Sequence, residues 1–89
     1  MIYYFYVLQS ESTGRFYTGH TENLSKRILE HNNKRTPSTR NRGPWVLFHS
    51  EEYPTRSDAM RREREVKSMK SRGYIEALAR ASRSDREGR

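Results

Sequence analysis

The run Ile2-Tyr3-Tyr4-Phe5-Tyr6-Val7-Leu8 constrains this chain more than any other stretch. Aromatic and β-branched residues favour a strand. Along a strand side chains alternate, so Ile2, Tyr4, Tyr6 and Leu8 share one face while Tyr3, Phe5 and Val7 share the other. Both faces are apolar, which calls for a central strand covered on both sides. The chain has 89 residues, of which 31% are hydrophobic, enough for one domain with a modest core. Large side chains compensate for the small number of apolar residues, since Phe, Trp and Tyr make up 11% of the chain.

The remaining elements follow from punctuation and period. Ser10-Glu11-Ser12-Thr13-Gly14 reads as a hairpin loop, with Gly14 taking a positive φ, and the strand returns over Arg15 to Gly19. Asn23 or Thr21 caps a first helix whose inward stripe is Leu24, Ile28 and Leu29. That helix ends at Asn32-Asn33, a pair suited to a left-handed terminus. Residues Lys34 to Pro44 form a polar, basic loop before a third strand from Trp45 to about Ser50, and Glu51-Glu52-Tyr53-Pro54 breaks the pattern. Ser57 is the expected cap of a second helix with Ala59, Met60, Val66 and Met69 inward, and Ser71 that of a third packing through Tyr74, Ile75, Leu78 and Ala81. The order β-β-α-β-α-α predicts an α+β domain over residues 1–81: a small three-stranded antiparallel sheet flanked by three helices. From Ser82 onward only Ser, Arg, Asp, Glu and Gly remain, and a flexible basic tail over 82–89 is expected.

A formal net charge of +7 and a pI of about 10.1 point to a polyanionic partner, nucleic acid before a membrane surface. The chain has no cysteine, which excludes disulfides and thiolate metal sites. No apolar run approaches the roughly 20 residues that span a bilayer. The N-terminal run is too short and too aromatic for a signal peptide, so a cytoplasmic protein without membrane contact is expected.

Glu63 stands out within this pattern. With Ala59 and Val66 it occupies positions i, i+4 and i+7, on the stripe that should be apolar. A carboxylate there needs a partner, either a divalent cation or a nearby arginine. Arg27 and His31, one turn apart, lie beside the Leu24/Ile28 stripe and are expected at the rim of the core. A guanidinium at that rim can grip a phosphate, and a histidine can relay a proton or hold a tyrosine hydroxyl. Tyr6 and Tyr17 sit on strands that the hairpin brings together. Either they are core residues with hydroxyls at the rim, or one acts as a phenolate base whose pKa a cation must lower.

Tyr4-Phe5-Tyr6, then Tyr17-Thr18-Gly19, Asn23-Leu24, Arg27, His31, and finally Arg56 to Glu63 with Val66-Lys67, resemble the signature of the GIY-YIG nucleases. The resemblance covers about Ile2 to Leu78. It looks closest to the small stand-alone bacterial UPF0213-type branch, related to the nuclease domain of the UvrC repair protein. It implies catalytic roles for Tyr6, Tyr17, Arg27, His31 and Glu63: one tyrosine as general base, Arg27 on the scissile phosphate, and His31 supporting the tyrosines. It also implies that Glu63 binds one divalent ion, Mg²⁺ or another such as Mn²⁺. The chain departs from the pattern in three places. The first triplet is Tyr-Phe-Tyr, His20 stands where some members have a lysine, and a terminal asparagine of some repair members has no counterpart.

Binding is assigned to cations. His20 can reach phosphate or cap its loop; Lys26 fits a solvated basic face but is also a candidate phosphate contact. Loop residues Lys34, Arg35, Arg40 and Arg42, and the second-helix residues Arg61, Arg62, Arg64 and Lys67, can touch backbone phosphates, which position a nucleic acid without reading its sequence. The expected function is a metal-dependent endonuclease on DNA rather than RNA, selective for structure or low in sequence specificity. Recruitment by a protein partner, or pairing as a homodimer for double-strand cuts, fits such an enzyme. The alternative is a nucleic-acid-binding module with the nuclease fold and little cleavage.

Overall fold

A computed structural model describes residues 1–33 and 43–87, with side chains through residue 80. Three strands and three helices follow in the order β1 (Tyr3–Ser10), β2 (Phe16–Thr21), α1 (Leu24–Asn32), β3 (Trp45–Tyr53), α2 (Arg56–Met69) and α3 (Arg72–Glu87). The fold is α+β, and the sheet is antiparallel with strand order β2-β1-β3, so the two-faced apolar strand is central.

Each face of β1 feeds its own core. Phe5 and Val7 pack with Val66 of α2, joined by Phe16, Phe48, Tyr53, Tyr74, Ile75 and Leu78. Tyr6 and Leu8 pack with Trp45, joined by Tyr17 and by Leu24 and Ile28 of α1. The register between β1 and β3 slips between Val7 and Leu8, a bulge at Phe48. It lets Phe48 join the α2 side, where its ring meets Phe16 at 4.8 Å.

Several boundaries differ from the sequence expectation. β2 continues to Thr21. β3 runs on through Glu51, Glu52 and Tyr53 rather than breaking there. Glu51 is tolerated because it is saturated with donors: His49 Nε2 at 2.8 Å, the Tyr53 hydroxyl at 2.5 Å, and Arg62 Nε at 2.9 Å. Burial raises the Glu51 pKa, but these hydrogen bonds win and hold the carboxyl down at about 2. Arg62 also donates to Glu65 and to the Tyr74 hydroxyl, tying β3, α2 and α3 together. Its head is therefore engaged inside the fold, not presented to phosphate.

Thr55, not Ser57, caps α2 by accepting from Asp58 N, because Pro54 ends β3 and the helix starts directly after it. Asn33 ends α1 with φ −89°, whereas the left-handed residue is Lys70 at the end of α2 (φ 48°). Leu29, Met60 and Met69 face solvent, and only Ala59 and Val66 of α2 are buried. Helix α3 runs to Glu87. Gly14 (φ 76°), Asn23 and Ser71 take the roles expected of them. The loop cations Lys34, Arg35, Arg40 and Arg42 lie outside the described residues.

Truncating Arg62 would take the guanidinium from the Glu51 carboxylate, which is only 22% exposed, and leave it to His49 and Tyr53 alone. Arg62→Ala is expected to cost about 2–4 kcal/mol of folding stability. Denaturant titration checks this, and a loss below about 0.5 kcal/mol would mean that the network is a surface ornament.

Candidate active site

The hairpin register sets Tyr6 directly opposite Gly19. The Tyr6 ring lies across that glycine: a Cβ built at position 19 would stand 2.5 Å from the Tyr6 hydroxyl and 2.7 Å from Cζ. Gly19 is thus required for space. Without a side chain at 19 the phenol crosses β2 and reaches α1.

Two side chains of α1 meet it there. Asn23 caps the start of the helix, and Asn32 clamps its end onto Trp45 through bonds to the backbone oxygen (2.9 Å) and from the backbone nitrogen (2.6 Å). Between these clamps, His31 Nε2 lies 3.1 Å from the Tyr6 hydroxyl, and Arg27 Nε donates to the same oxygen at 3.4 Å. With Arg27 donating to the oxygen, the phenol's own hydrogen is free for Nε2. Tyr17 completes the cluster, its ring edge-on to His31 at 4.7 Å and 6.5 Å from the Tyr6 ring.

His31 is not at the rim: it is 1% exposed, as is Tyr6. Burial, then the neighbouring Arg27 charge, pushes the His31 pKa down to about 4, so the imidazole is neutral at physiological pH. Burial likewise pushes the Tyr6 phenol up to about 12, although the Arg27 hydrogen bond opposes this. A cation does sit beside the phenol, but desolvation wins, and Tyr6 is a neutral phenol rather than a standing phenolate. Arg27 is raised by its bond to Tyr6 and also holds Glu30 Oε1 at 3.0 Å.

Glu63 approaches from elsewhere. It lies on α2, whose Val66 packs on the Phe5 face of the sheet, opposite to that of Tyr6. Its partners are His20 Nδ1 at 2.6 Å and Lys67 Nζ at 2.5 Å, neither of them an arginine. Burial raises its pKa, but the His20 and Lys67 hydrogen bonds prevail and keep the carboxyl below its ordinary value. The structure therefore brings Tyr6, Tyr17, Arg27 and His31 into contact. Glu63 comes only within electrostatic reach of Tyr6, whose phenol its charge helps to keep protonated. His20 is the link: it bonds Glu63 and also lines an open cleft of about 290 Å³ with Lys26, Arg27 and Arg56. Arg56, to which the sequence assigned no role, stacks on Tyr3 at 5.0 Å and pairs with Glu22 at 3.3 Å. Its position at the start of α2 was the available signal.

Comparison with known proteins decides the family. Residues 2–75 match the model of the GIY-YIG catalytic domain. The chain belongs to the GIY-YIG family. It is 40% identical over 78 residues to a UPF0213 protein of Halobacterium salinarum, covering 86% of this chain and 99% of that one. It is 38% identical over 73 residues to a UPF0213 protein of Halalkalibacterium halodurans, covering 81% and 77%. The solution NMR structure of that same UPF0213 protein, whose source is there named Bacillus halodurans, superposes with a TM-score of 0.57 at 36% identity, covering 91% of this chain and 85% of that one. The GIY-YIG assignment carries a nuclease-type catalytic domain with it. No helix among the described residues is long and apolar enough to cross a membrane.

Among the described residues of this GIY-YIG domain, no three His, Cys, Asp or Glu side chains are grouped to hold a metal. The lone ionised Glu63 still suits Mg²⁺, which keeps most of its waters and takes one or two carboxylates plus substrate phosphates.

Two outcomes follow from the buried dyad. His31 takes up a proton at about pH 4 in the fold but near 6.5 when unfolded. Below the higher value only the unfolded chain is protonated, so the stability His31 contributes is complete above pH 6.5 and is lost as pH falls towards 4. The expected loss is on the order of 3 kcal/mol, and in His31→Asn the slope of stability against pH should flatten in that window. Gly19→Ala would drive a Cβ into the Tyr6 phenol and is expected to cost about 1–3 kcal/mol by denaturant titration.

Proposed function

We propose that the chain is a metal-dependent endonuclease that hydrolyses phosphodiester bonds in DNA in the cytoplasm, selective for structure or low in sequence specificity. The observation that carries this reading is the Tyr6 phenol held between Arg27 and His31, with Arg27 also lining an open cleft in which Lys26 and Arg56 stand alongside Glu22 and Glu30. Such a site suits a phosphodiester, because Arg27 can bind a phosphoryl oxygen while its Nε orients the phenol. Lys26 and Arg56 line the same cleft and suit flanking phosphates.

In the reaction, a water oxygen bonds to phosphorus as the ester oxygen on the far side departs. The water's proton passes to the Tyr6 oxygen while the Tyr6 hydrogen moves to His31 Nε2, along the 3.1 Å hydrogen bond. The relay needs no standing phenolate, which suits a phenol with a pKa near 12. Tyr17 packs on His31 and fixes its ring. Arg27 stays charged and neutralises the developing negative charge on the phosphoryl oxygens. Glu63 would hold Mg²⁺ or Mn²⁺, which supplies Lewis-acid polarisation and stabilises the leaving oxygen.

A second reading, binding with little cleavage, has one observation in its favour. Both oxygens of Glu63 are occupied, by His20 and Lys67, and a metal must displace at least one of them.

A nicking assay on supercoiled plasmid with Mg²⁺, with Mn²⁺ and with chelator separates the two. Nicking only with metal, reduced at least ~100-fold in Glu63→Ala, Arg27→Ala and Tyr6→Phe, is the expected outcome. A wild-type protein that shifts DNA but nicks it with neither metal is a binding module. Because the relay ends on neutral His31 Nε2, single-turnover rates should be level across the neutral range and fall as pH drops towards 4, where the imidazole takes up a proton and can no longer accept one.

A further inference from the structure

The opposite side of β2 carries a second basic cleft, of about 370 Å³. Phe16, Val66 and Ile75 contribute apolar surface to it, and Arg15, Lys67, Lys70 and Arg72 surround it with charge. These side chains come from the hairpin and from the turn between α2 and α3, so the cleft lies on the Phe5 face of the sheet, opposite Tyr6 and Tyr17. Among the described residues two acids temper it: Glu63 holds Lys67, and Glu76 sits 3.6 Å from Arg72. Arg72 is fixed in place, donating to Gly14 O at 2.8 Å and lying over the Phe16 ring at 4.7 Å. Arg15 and Lys70 enter no recorded ion pair among the described residues.

Lys70 adds a second, independent observation. It sits at the left-handed end of α2 with φ 48°, a position where glycine is the usual and less strained choice. A lysine there is unfavourable for the backbone and lines the cleft, the pattern expected of a residue whose side chain is used for binding.

The two clefts are also joined. His20 lines the first and bonds Glu63; Glu63 bonds Lys67; Lys67 lines the second. Glu63 thus stands midway along a chain of paired basic and acidic side chains that rounds the edge of β2 and links the two clefts.

Resting on the nuclease reading above, we propose that the second cleft binds backbone phosphates of the nucleic acid beyond the scissile one, so that the substrate wraps the edge of β2 and touches both faces of the sheet. Phosphates on both sides of Glu63 hold the scissile group over it. A backbone that rounds an edge strand must turn sharply, which favours nicked, flapped or branched nucleic acid over straight duplex.

The test is metal-free binding, where no cleavage occurs. Fluorescence anisotropy with labelled straight duplex and with a flapped duplex is read between about 50 and 200 mM salt. Arg15→Ala/Lys70→Gly is expected to weaken binding roughly 10-fold and to lower the slope of log affinity against log salt by about 2. The loss should be larger for the flapped substrate. Arg80→Ala, which removes an exposed cation outside the cleft, should leave affinity within about twofold. Lys70→Gly alone should raise the melting temperature by roughly 2–5 °C while weakening binding, a combination that a merely structural lysine would not give. Unchanged affinity and salt slope in the double variant overturn the proposal and leave the nuclease reading intact. So does displacement of inorganic phosphate from the cleft without any change in duplex binding, which would mark a small-anion site. A wild-type protein that binds no nucleic acid at all ends both.

Discussion

Burial of β1 on both faces is the constraint from which the rest of the molecule follows. A strand with Phe5 and Val7 on one side and Tyr6 and Leu8 on the other has to be flanked by two strands and covered by two helical layers. In so short a chain, α1 covers one face while α2 and α3 cover the other. The functional side chains are divided accordingly. Tyr6, Tyr17, Arg27 and His31 belong to the α1 side, and Glu63 with Lys67 belongs to the α2 side. No sheet face holds all five. They can serve one reaction only around an edge, and β2 is the edge strand from which both sides are reached. Gly19 makes this workable, because the Tyr6 ring can cross β2 only where no side chain stands in its way.

How much of this was legible in the sequence depends on the range of the interaction concerned. The central strand, the Gly14 turn, the Asn23 and Ser71 caps and the position of Glu63 on the inner side of α2 all follow from alternation, period or local backbone need. The family resemblance named candidate site residues, but it said nothing of their surroundings. His31 was placed at the rim because its helical spacing sets it beside the Leu24 stripe. Its depth is decided by Tyr6 and Tyr17, which arrive from a different element. The Glu63 partners were equally hidden, since His20 lies on β2 and only the sheet register turns it towards α2.

The misplaced boundary of β3 has the same origin. Glu51-Glu52 before Pro54 looks like a breaker when it is read locally. In the fold, Arg62 of α2 meets Glu51 through two nitrogens, and His49 and Tyr53 supply further donors. An acid that would end a strand in water instead anchors one to a helix. The same pairing withdraws Arg62 from nucleic acid, although by sequence it resembled any other cation of α2.

Protonation state and depth are matched across the site. Tyr6 and His31, which the proposed reaction uses uncharged, are each 1% exposed, and burial keeps one protonated and the other unprotonated. The groups that must stay charged lie progressively further out: Glu63 at 16%, Arg27 at 34% and Lys67 at 56% side-chain exposure. Inverting this order would cost the charged groups their hydration and let water compete for the phenol–imidazole hydrogen bond. A phosphodiester brings its own negative charge to the rim, so it can meet Arg27 and Lys67 without either cation first being buried. In the proposed reaction the neutral pair behind them moves the proton where water is scarce, a separation that an 89-residue chain with a small core can still hold.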